Sequence, residues 1–169
     1  MLDIEVPRLA ALVFALLAFA LQHALRRRVL LWAILTLPAT LLHELAHLAV
    51  GLVTGARPSS FNLLPRRIDA TRWRLGYVGF TRLRWWNGGA VALAPLAGLP
   101  VLGLLARPVA SVPATLTLAA SAATGVVIVW MLIAIAPGLT DWTLAARCWP
   151  SAIVFLTAWG GALYLLLVG

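Results

Sequence analysis

The sequence has one cysteine, Cys148, no lysine, and only five acidic residues in its 169 positions. A single cysteine excludes an internal disulfide framework and a zinc site built from several thiolates. The thirteen basic residues are all arginines, and the net charge is +8. Such a charge can indicate nucleic-acid binding, but membrane proteins also concentrate arginine in loops, where it sets orientation and contacts headgroups. We therefore expect a lipid bilayer around the chain and no nucleic-acid partner.

Apolar residues dominate what is present, at 63% of the chain and a mean hydropathy of +0.99. This composition is typical of an integral membrane protein and not of a soluble domain. We predict a single domain whose fold class is an all-α polytopic membrane protein with about five transmembrane helices. The predicted spans are residues 9–25, 29–53, 88–106, 114–136 and 152–168.

Residues 57–87 differ from the predicted spans because arginines and tryptophans replace the long apolar runs. Two short strand-like runs, at residues 61–64 and 75–80, are separated by a polar turn region. We predict a short β-hairpin at the membrane surface between the second and third spans. Trp73, Trp85 and Trp86 are typical of the aromatic belt at headgroup level.

The second predicted span contains an HExxH motif formed by His43, Glu44 and His47. Two histidines four residues apart lie on one helix face, so both can bind a single Zn²⁺ ion. The glutamate of such a motif serves as the general base of a zinc hydrolase. A chance match in the core helix of a soluble protein would leave both histidines merely hydrogen-bonded. Ionisable residues are rare inside membrane segments and mark functional sites there, so the metal-site interpretation is favoured.

A third metal ligand follows by elimination, since catalytic zinc sites usually have three protein ligands and one open position. The only glutamates are Glu5 and Glu44, and no histidine follows His47, so the remaining carboxylates are Asp3, Asp69 and Asp141. Asp69 lies among arginines on a polar loop, where contact with solvent or an ion pair with an arginine accounts for a carboxylate. Asp141 directly follows a predicted span and is the favoured ligand, with capping of a helix that starts near Trp142 as its alternative role.

The arrangement resembles the site-2 protease family of intramembrane zinc metallopeptidases over roughly residues 29–150. Its motifs are HExxH in a membrane helix, a surface hairpin, a small-residue span and a later aspartate. The segment Ala94-Pro95-Leu96-Ala97-Gly98 resembles the family's GPxxN segment, with Ala for Gly and Gly for Asn. Thr140-Asp141-Trp142 stands where the family has Leu-Asp-Gly, with only the aspartate retained, and Arg147 resembles a basic residue that often follows. The family's Asn-Pro run before this motif is missing.

This resemblance implies that the protein hydrolyses a peptide bond in or near a transmembrane segment of another membrane protein. It implies one Zn²⁺ held by His43, His47 and Asp141, with Glu44 as the catalytic general base. Two other functions stay open from the residues alone. One is a non-proteolytic membrane scaffold that binds zinc for folding, with His23 as the only spare histidine for a fourth ligand. The other is a zinc-dependent hydrolase of a lipid or another non-peptide amide.

The arginines also predict an orientation, because the distribution of basic residues over short loops decides which face of a membrane protein is cytoplasmic. A cytoplasmic N-terminus places Arg8, the arginines of residues 57–84 and Arg147 inside, against Arg26, Arg27, Arg28 and Arg107 outside. We therefore predict a multi-pass protein of the plasma (inner) membrane with its active site near the cytoplasmic face.

Overall fold

The computed structural model describes residues 2–69, 73–99 and 117–168, which are mostly helical with a small β portion, as the sequence predicts. The helices, in chain order, are α1 (Leu2–Leu25), α2 (Val29–Val53), α3 (Gly88–Leu93), a 3₁₀ helix (Ala94–Gly98), α4 (Thr117–Ile135), α5 (Leu139–Arg147) and α6 (Trp149–Val168). The strands are β1 (Pro58–Asn62), β2 (Arg66–Arg67), β3 (Trp73–Arg74) and β4 (Tyr77–Phe80).

One helix, α2, is long and apolar enough to cross a membrane by itself. The bent pair formed by Ala119–Ile135 and Leu139–Arg147 gives a second candidate if the two helices count as one span. Shorter apolar stretches of 10–17 residues lie in other helices, at Leu9–Leu25, Gly88–Gly98 and Trp149–Leu165. The structure thus supports one or two candidate spans, and the five crossings predicted from the sequence stay a prediction. Residues 100–116, which include the end of the predicted third span, lie outside the described residues.

The β portion is one hairpin whose pairing is interrupted. β1 pairs with β4 antiparallel, from Pro58 opposite Phe80 to Asn62 opposite Tyr77, and a bulge interrupts the register between Pro58 and Ser60. Farther along the hairpin, the two-residue strands β2 and β3 also pair antiparallel. The ring of Phe80 packs against Gly51 near the C-terminal end of α2. This contact places β4 alongside the half of α2 that carries the HExxH motif.

Helix α2 contacts α1, α3, α4, the 3₁₀ helix and the β1–β4 ladder. Helix α1 packs along α4, where a Cβ atom at Gly125 would lie 2.5 Å from the carbonyl oxygen of Ala11. Glycine at this position therefore allows the two helix backbones to approach closely. A separate buried cluster of Ala92, Leu93, Ala145 and Ala152 joins α3, α5 and α6. Together these contacts bring the ends of α3, α4 and α5 onto one face of α2.

Candidate metal site

Two histidine rings project from α2 toward neighbouring helices, and each is held by a backbone carbonyl. The Nδ1 atom of His43 lies 2.8 Å from the carbonyl oxygen of Ala134, in the last turn of α4. The Nδ1 atom of His47 lies 2.7 Å from the carbonyl oxygen of Val91 in α3. A carbonyl oxygen can only accept a hydrogen bond, so each Nδ1 atom carries the ring proton and donates it. In a neutral ring this leaves the Nε2 atom with an unshared electron pair.

The two Nε2 atoms face each other at 3.1 Å, and the rings lie nearly perpendicular, with an interplanar angle of 79°. Two neutral rings in this tautomer have no proton to share between these atoms. A proton added to one ring would supply a single donor for several facing acceptors. A bound cation can interact with all of the facing electron pairs at once. Such orientation of a ligand histidine by a backbone carbonyl is the usual outer support of a metal site.

The third group at this point is the carboxylate of Asp141 in the first turn of α5. Its Oδ2 atom lies 3.5 Å from Nε2 of His43, and its Oδ1 atom lies 3.6 Å from Nε2 of His47. Helix α5 begins at Leu139, three residues earlier than the sequence interpretation placed it, and the Gly138 amide donates to Oδ2 at 2.7 Å. Asp141 therefore stabilises the start of α5, one of the two roles considered for it, and also faces both histidines.

The environment of Asp141 keeps its carboxyl group ionised. Burial by itself raises the pKa of a carboxyl group. The pKa of Asp141 nevertheless lies well below its ordinary value, because the His43 and His47 rings, when protonated, and the Gly138 amide stabilise the charged form. The site therefore contains one fixed negative charge beside two imidazole nitrogens.

His43, His47 and Asp141 together form a group that could hold a metal ion. Their ligand atoms all lie within 4.8 Å of one another, although Asp141 is 98 positions from His43 in the sequence. These are the three residues that the sequence predicts as ligands. His23 is not a member of the group that the described residues form; its ring lies 6.5 Å from that of Phe19.

Glu44 is buried, with 7% of its surface exposed, and lies beside the segment that leads into β4. A Cβ atom at Gly76 would lie 3.0 Å from both Cγ and Oε1 of Glu44. The lack of a side chain at position 76, just before β4, therefore leaves room for the glutamate. Sequence reasoning did not find this role of Gly76, because a lone glycine in a loop carries no signal of what lies opposite.

A cavity of about 450 Å³ opens beside these groups. Its polar lining comes from the metal-site group, from Glu44 and from Arg74, and all four residues of β4 line it as well. The remaining walls are largely apolar: Leu83, Val91, Ala92 and Leu144. The cavity is large enough to admit several side chains or a short extended peptide segment, and it joins the predicted base, the predicted ligands and a strand edge.

No protein-family model, curated protein or solved structure matches this chain. The likeness to a known family therefore consists of the motifs already quoted from the sequence.

A second hydrogen bond, besides that between His43 and Ala134, fixes the position of α4 along α2. The indole nitrogen of Trp130 donates to the carbonyl oxygen of Leu35 at 2.8 Å. This contact lies two turns before His43, close to Pro38, which cannot donate a backbone hydrogen bond. Trp130 and Ala134 are one turn apart on α4, so the indole sets the position of the carbonyl that orients His43.

We expect Trp130→Phe to lower the affinity of the site for zinc by up to about tenfold, at the lower end of the effect of outer-sphere partners. Competition with a coloured zinc chelator measures this affinity. Trp159→Phe is the matched control, because the Trp159 indole donates to the Leu96 carbonyl oxygen at 3.1 Å in the contact of α6 with the 3₁₀ helix. Equal losses in the two variants, or none in either, would contradict the assigned role of Trp130.

Proposed function

We propose that the protein is an intramembrane zinc metalloprotease, which hydrolyses a peptide bond in or near a transmembrane segment of another membrane protein. The observation that carries this proposal is that Asp141 approaches His43 and His47 beside Glu44. The two histidines and Glu44 lie on an apolar helix of membrane-spanning length. The motif resemblance to site-2 proteases gives the same expectation. Each further step of the proposal rests on a separate property of the site.

Zinc fits the spacing and chemistry of the ligand atoms. Zinc–nitrogen and zinc–oxygen distances of about 2.0–2.1 Å in a tetrahedral site require ligand atoms about 3.3 Å apart. The two imidazole nitrogens are 3.1 Å apart, and they lie 3.5 and 3.6 Å from different oxygens of the Asp141 carboxylate, Oδ2 for His43 and Oδ1 for His47. Two imidazoles and one carboxylate are also a ligand set that leaves the fourth position open, as a catalytic zinc site requires.

In the proposed reaction, His43, His47 and Asp141 would hold a zinc ion that would polarise the scissile carbonyl and acidify the attacking water. Glu44 accepts the proton that the water loses as its oxygen forms a bond to the carbonyl carbon. Glu44 then delivers that proton to the amide nitrogen as the carbon–nitrogen bond breaks, so the products are a carboxylic acid and an amine. The burial of Glu44 beside Gly76 supports this role, because it keeps the carboxyl group in the cavity and away from bulk water.

Strand β4 offers a way to hold the substrate. Within the part of the chain that the structure describes, β4 pairs with β1 along one edge only, and β4 lines the cavity. A transmembrane helix has its carbonyl groups hydrogen-bonded, so a substrate must unwind locally before attack. An unwound segment can then add to the free edge of β4 as an extra strand. A strand edge beside the predicted base favours a peptide substrate over a lipid.

Placement in a membrane is part of the proposal and has its own support. Only 17% of the apolar window of α2 is buried, which differs from the core helix of a soluble protein. Side chains such as Leu30, Ile34 and Val154 are more than two-thirds exposed, at 72%, 69% and 69%. Such exposed apolar surfaces support placement in lipid.

The proposed function can be tested by reconstituting the protein in liposomes together with a fusion protein that contains one transmembrane segment. Cleavage of that segment is expected, with loss on zinc chelation and recovery when zinc is restored. A parallel incubation with labelled phospholipid and with an acylated amide tests the two alternative functions. Hydrolysis of these compounds without cleavage of the fusion protein would overturn the proposal.

The proposed orientation predicts which side of the membrane each loop occupies. We expect a thiol reagent that cannot cross membranes, applied from outside the cell, to label a cysteine at position 111 and to spare one at position 60. Ser60 lies on β1, just after α2, whereas Ser111 belongs to the predicted loop between the third and fourth spans. The single-cysteine variants use Cys148→Ser as their background.

The control for this experiment is the same labelling after the membrane has been permeabilised, when both cysteines should react. Labelling of position 60 but not of position 111 in intact cells would mean that Arg26, Arg27 and Arg28 set the topology. The metal site would then face the exterior.

A further inference from the structure

Exposed arginines and tryptophans lie on two segments that are in contact, the loop before α3 and the corner between α5 and α6. We name this surface the Arg–Trp patch; its members are Arg82, Arg84, Trp85, Trp86, Arg147 and Trp149. Its three indoles are 67%, 47% and 62% exposed. None of these residues belongs to the metal site or lies on β4.

Hydrogen bonds from Ser151 join the two halves of the patch. The Ser151 hydroxyl lies 3.0 Å from the carbonyl oxygen of Trp85 and accepts a hydrogen bond from the Gly89 amide at 2.9 Å. The same hydroxyl lies 3.0 Å from the carbonyl oxygen of Cys148, at the corner between α5 and α6. The loop and the corner are therefore held side by side as one surface.

A fully buried asparagine, Asn87, fixes the loop from beneath. Its Oδ1 atom accepts a hydrogen bond from the Arg84 amide at 2.7 Å, and its Nδ2 group donates to the carbonyl oxygen of Arg82 at 3.1 Å. Nδ2 also lies 3.3 Å from the carbonyl oxygen of Thr54, which follows α2. The backbone that carries Arg82 and Arg84 is thus ordered before any ligand arrives, which lowers the entropy lost on binding.

The charge of the patch has no counterpart within the described residues. Neither Arg82, Arg84 nor Arg147 has an ion-pair partner there, and the described acidic side chains, Glu44, Asp69 and Asp141, lie elsewhere in the fold. The planar guanidinium group matches the oxygens of a phosphate with two parallel hydrogen bonds. Exposed indoles beside such groups occupy the headgroup level of a bilayer.

We propose that the Arg–Trp patch binds the headgroup of an anionic phospholipid at the membrane surface. The proposal rests on the membrane placement given under the proposed function, but it requires neither zinc nor proteolysis. Charge and shape complementarity select the occupant: the arginines hold the phosphate, and the indoles contact the glycerol and upper acyl region. A bound lipid bridges two segments that support the metal site, because the loop leads into α3 with Val91, and Arg147 ends the helix that carries Asp141.

The test measures binding of phosphatidylglycerol to the purified full-length protein in phosphatidylcholine-containing micelles, by native mass spectrometry of lipid adducts. We expect the triple variant Arg82→Gln, Arg84→Gln, Arg147→Gln to bind this lipid on the order of 100-fold more weakly, since each arginine near an anionic surface contributes about fivefold. The matched control is Arg26→Gln, Arg27→Gln, Arg28→Gln, which removes the same charge from exposed positions between α1 and α2.

The control variant should keep phosphatidylglycerol affinity within about threefold of the unmodified protein, which is less than the loss expected for one arginine in contact with the lipid. Equal weakening in both triple variants would show attraction by net charge alone and would overturn the proposal. Unchanged binding in the patch variant would overturn it as well. Zinc content, measured on the same samples, separates these outcomes from a failure of the proposed metal site, because lipid binding is scored without metal or activity.

Discussion

Replacement of Glu44 by glutamine is expected to lower the rate of peptide hydrolysis roughly 100- to 10,000-fold, the usual contribution of a general base. Glutamine has nearly the same shape as glutamate but cannot accept the proton that the attacking water must lose. It also fits the space that Gly76 leaves open, so the fold should persist. Glu44 is not a member of the metal-site group, so the variant should retain its zinc.

Two measurements check this expectation together: the cleavage rate of a transmembrane substrate and the zinc content of the same preparation. Asp69→Asn serves as the matched control, because it makes the same acid-to-amide change outside the cavity, on the hairpin loop. The control should cleave at the normal rate. A Glu44→Gln protein that cleaves as fast as its parent would refute the assignment of Glu44 as the base.

The second large effect concerns the metal. The unmodified protein should carry about one zinc ion per chain, as sites with a single metal do. The double variant His43→Ala, His47→Ala should retain almost none. Both of its imidazole ligands are gone, so the loss of affinity should exceed the 10- to 100-fold that outer partners contribute. Elemental analysis after dialysis against a weak chelator gives the stoichiometry.

His23→Ala is the control for this measurement, since His23 lies on α1 outside the metal-site group. Its zinc content should equal that of the parent. Asp141→Asn separates the role of Asp141 at the start of α5 from its proposed role as a metal ligand. An asparagine oxygen can still accept the Gly138 hydrogen bond, but it no longer supplies a negative charge to the metal. Full zinc retention in the double histidine variant would exclude the site.

The sequence was sufficient to predict the three residues of the metal-site group because so few alternatives exist. Two glutamates, three histidines and three aspartates leave little choice once the HExxH motif is placed. The mostly helical fold with a small β portion was likewise predicted from hydropathy and from the change of composition after residue 56.

Other parts of the site could not be predicted, for a physical reason. The carbonyl groups of Val91 and Ala134 orient the histidines, and every residue has a carbonyl group, so side-chain identity carries no signal for this role. The hairpin is divided into a β1–β4 ladder and a β2–β3 ladder. This division depends on which backbone groups pair between the strands. The 3₁₀ geometry of Ala94–Gly98 depends on Pro95 and on packing against α2 and α4.

Asp141 lies far from the two histidines of the metal-site group in the sequence, so these residues are synthesised at different times. At translation rates of 5–20 residues per second, Asp141 leaves the ribosome roughly 5–20 s after His43. During that interval, the nascent chain has the general base and two imidazoles but lacks their anionic partner. The helix that carries the Ala134 carbonyl also appears late. Newly made molecules therefore lack the complete metal-site group until residue 141 has been synthesised, and under the proposed function hydrolysis cannot begin before that point.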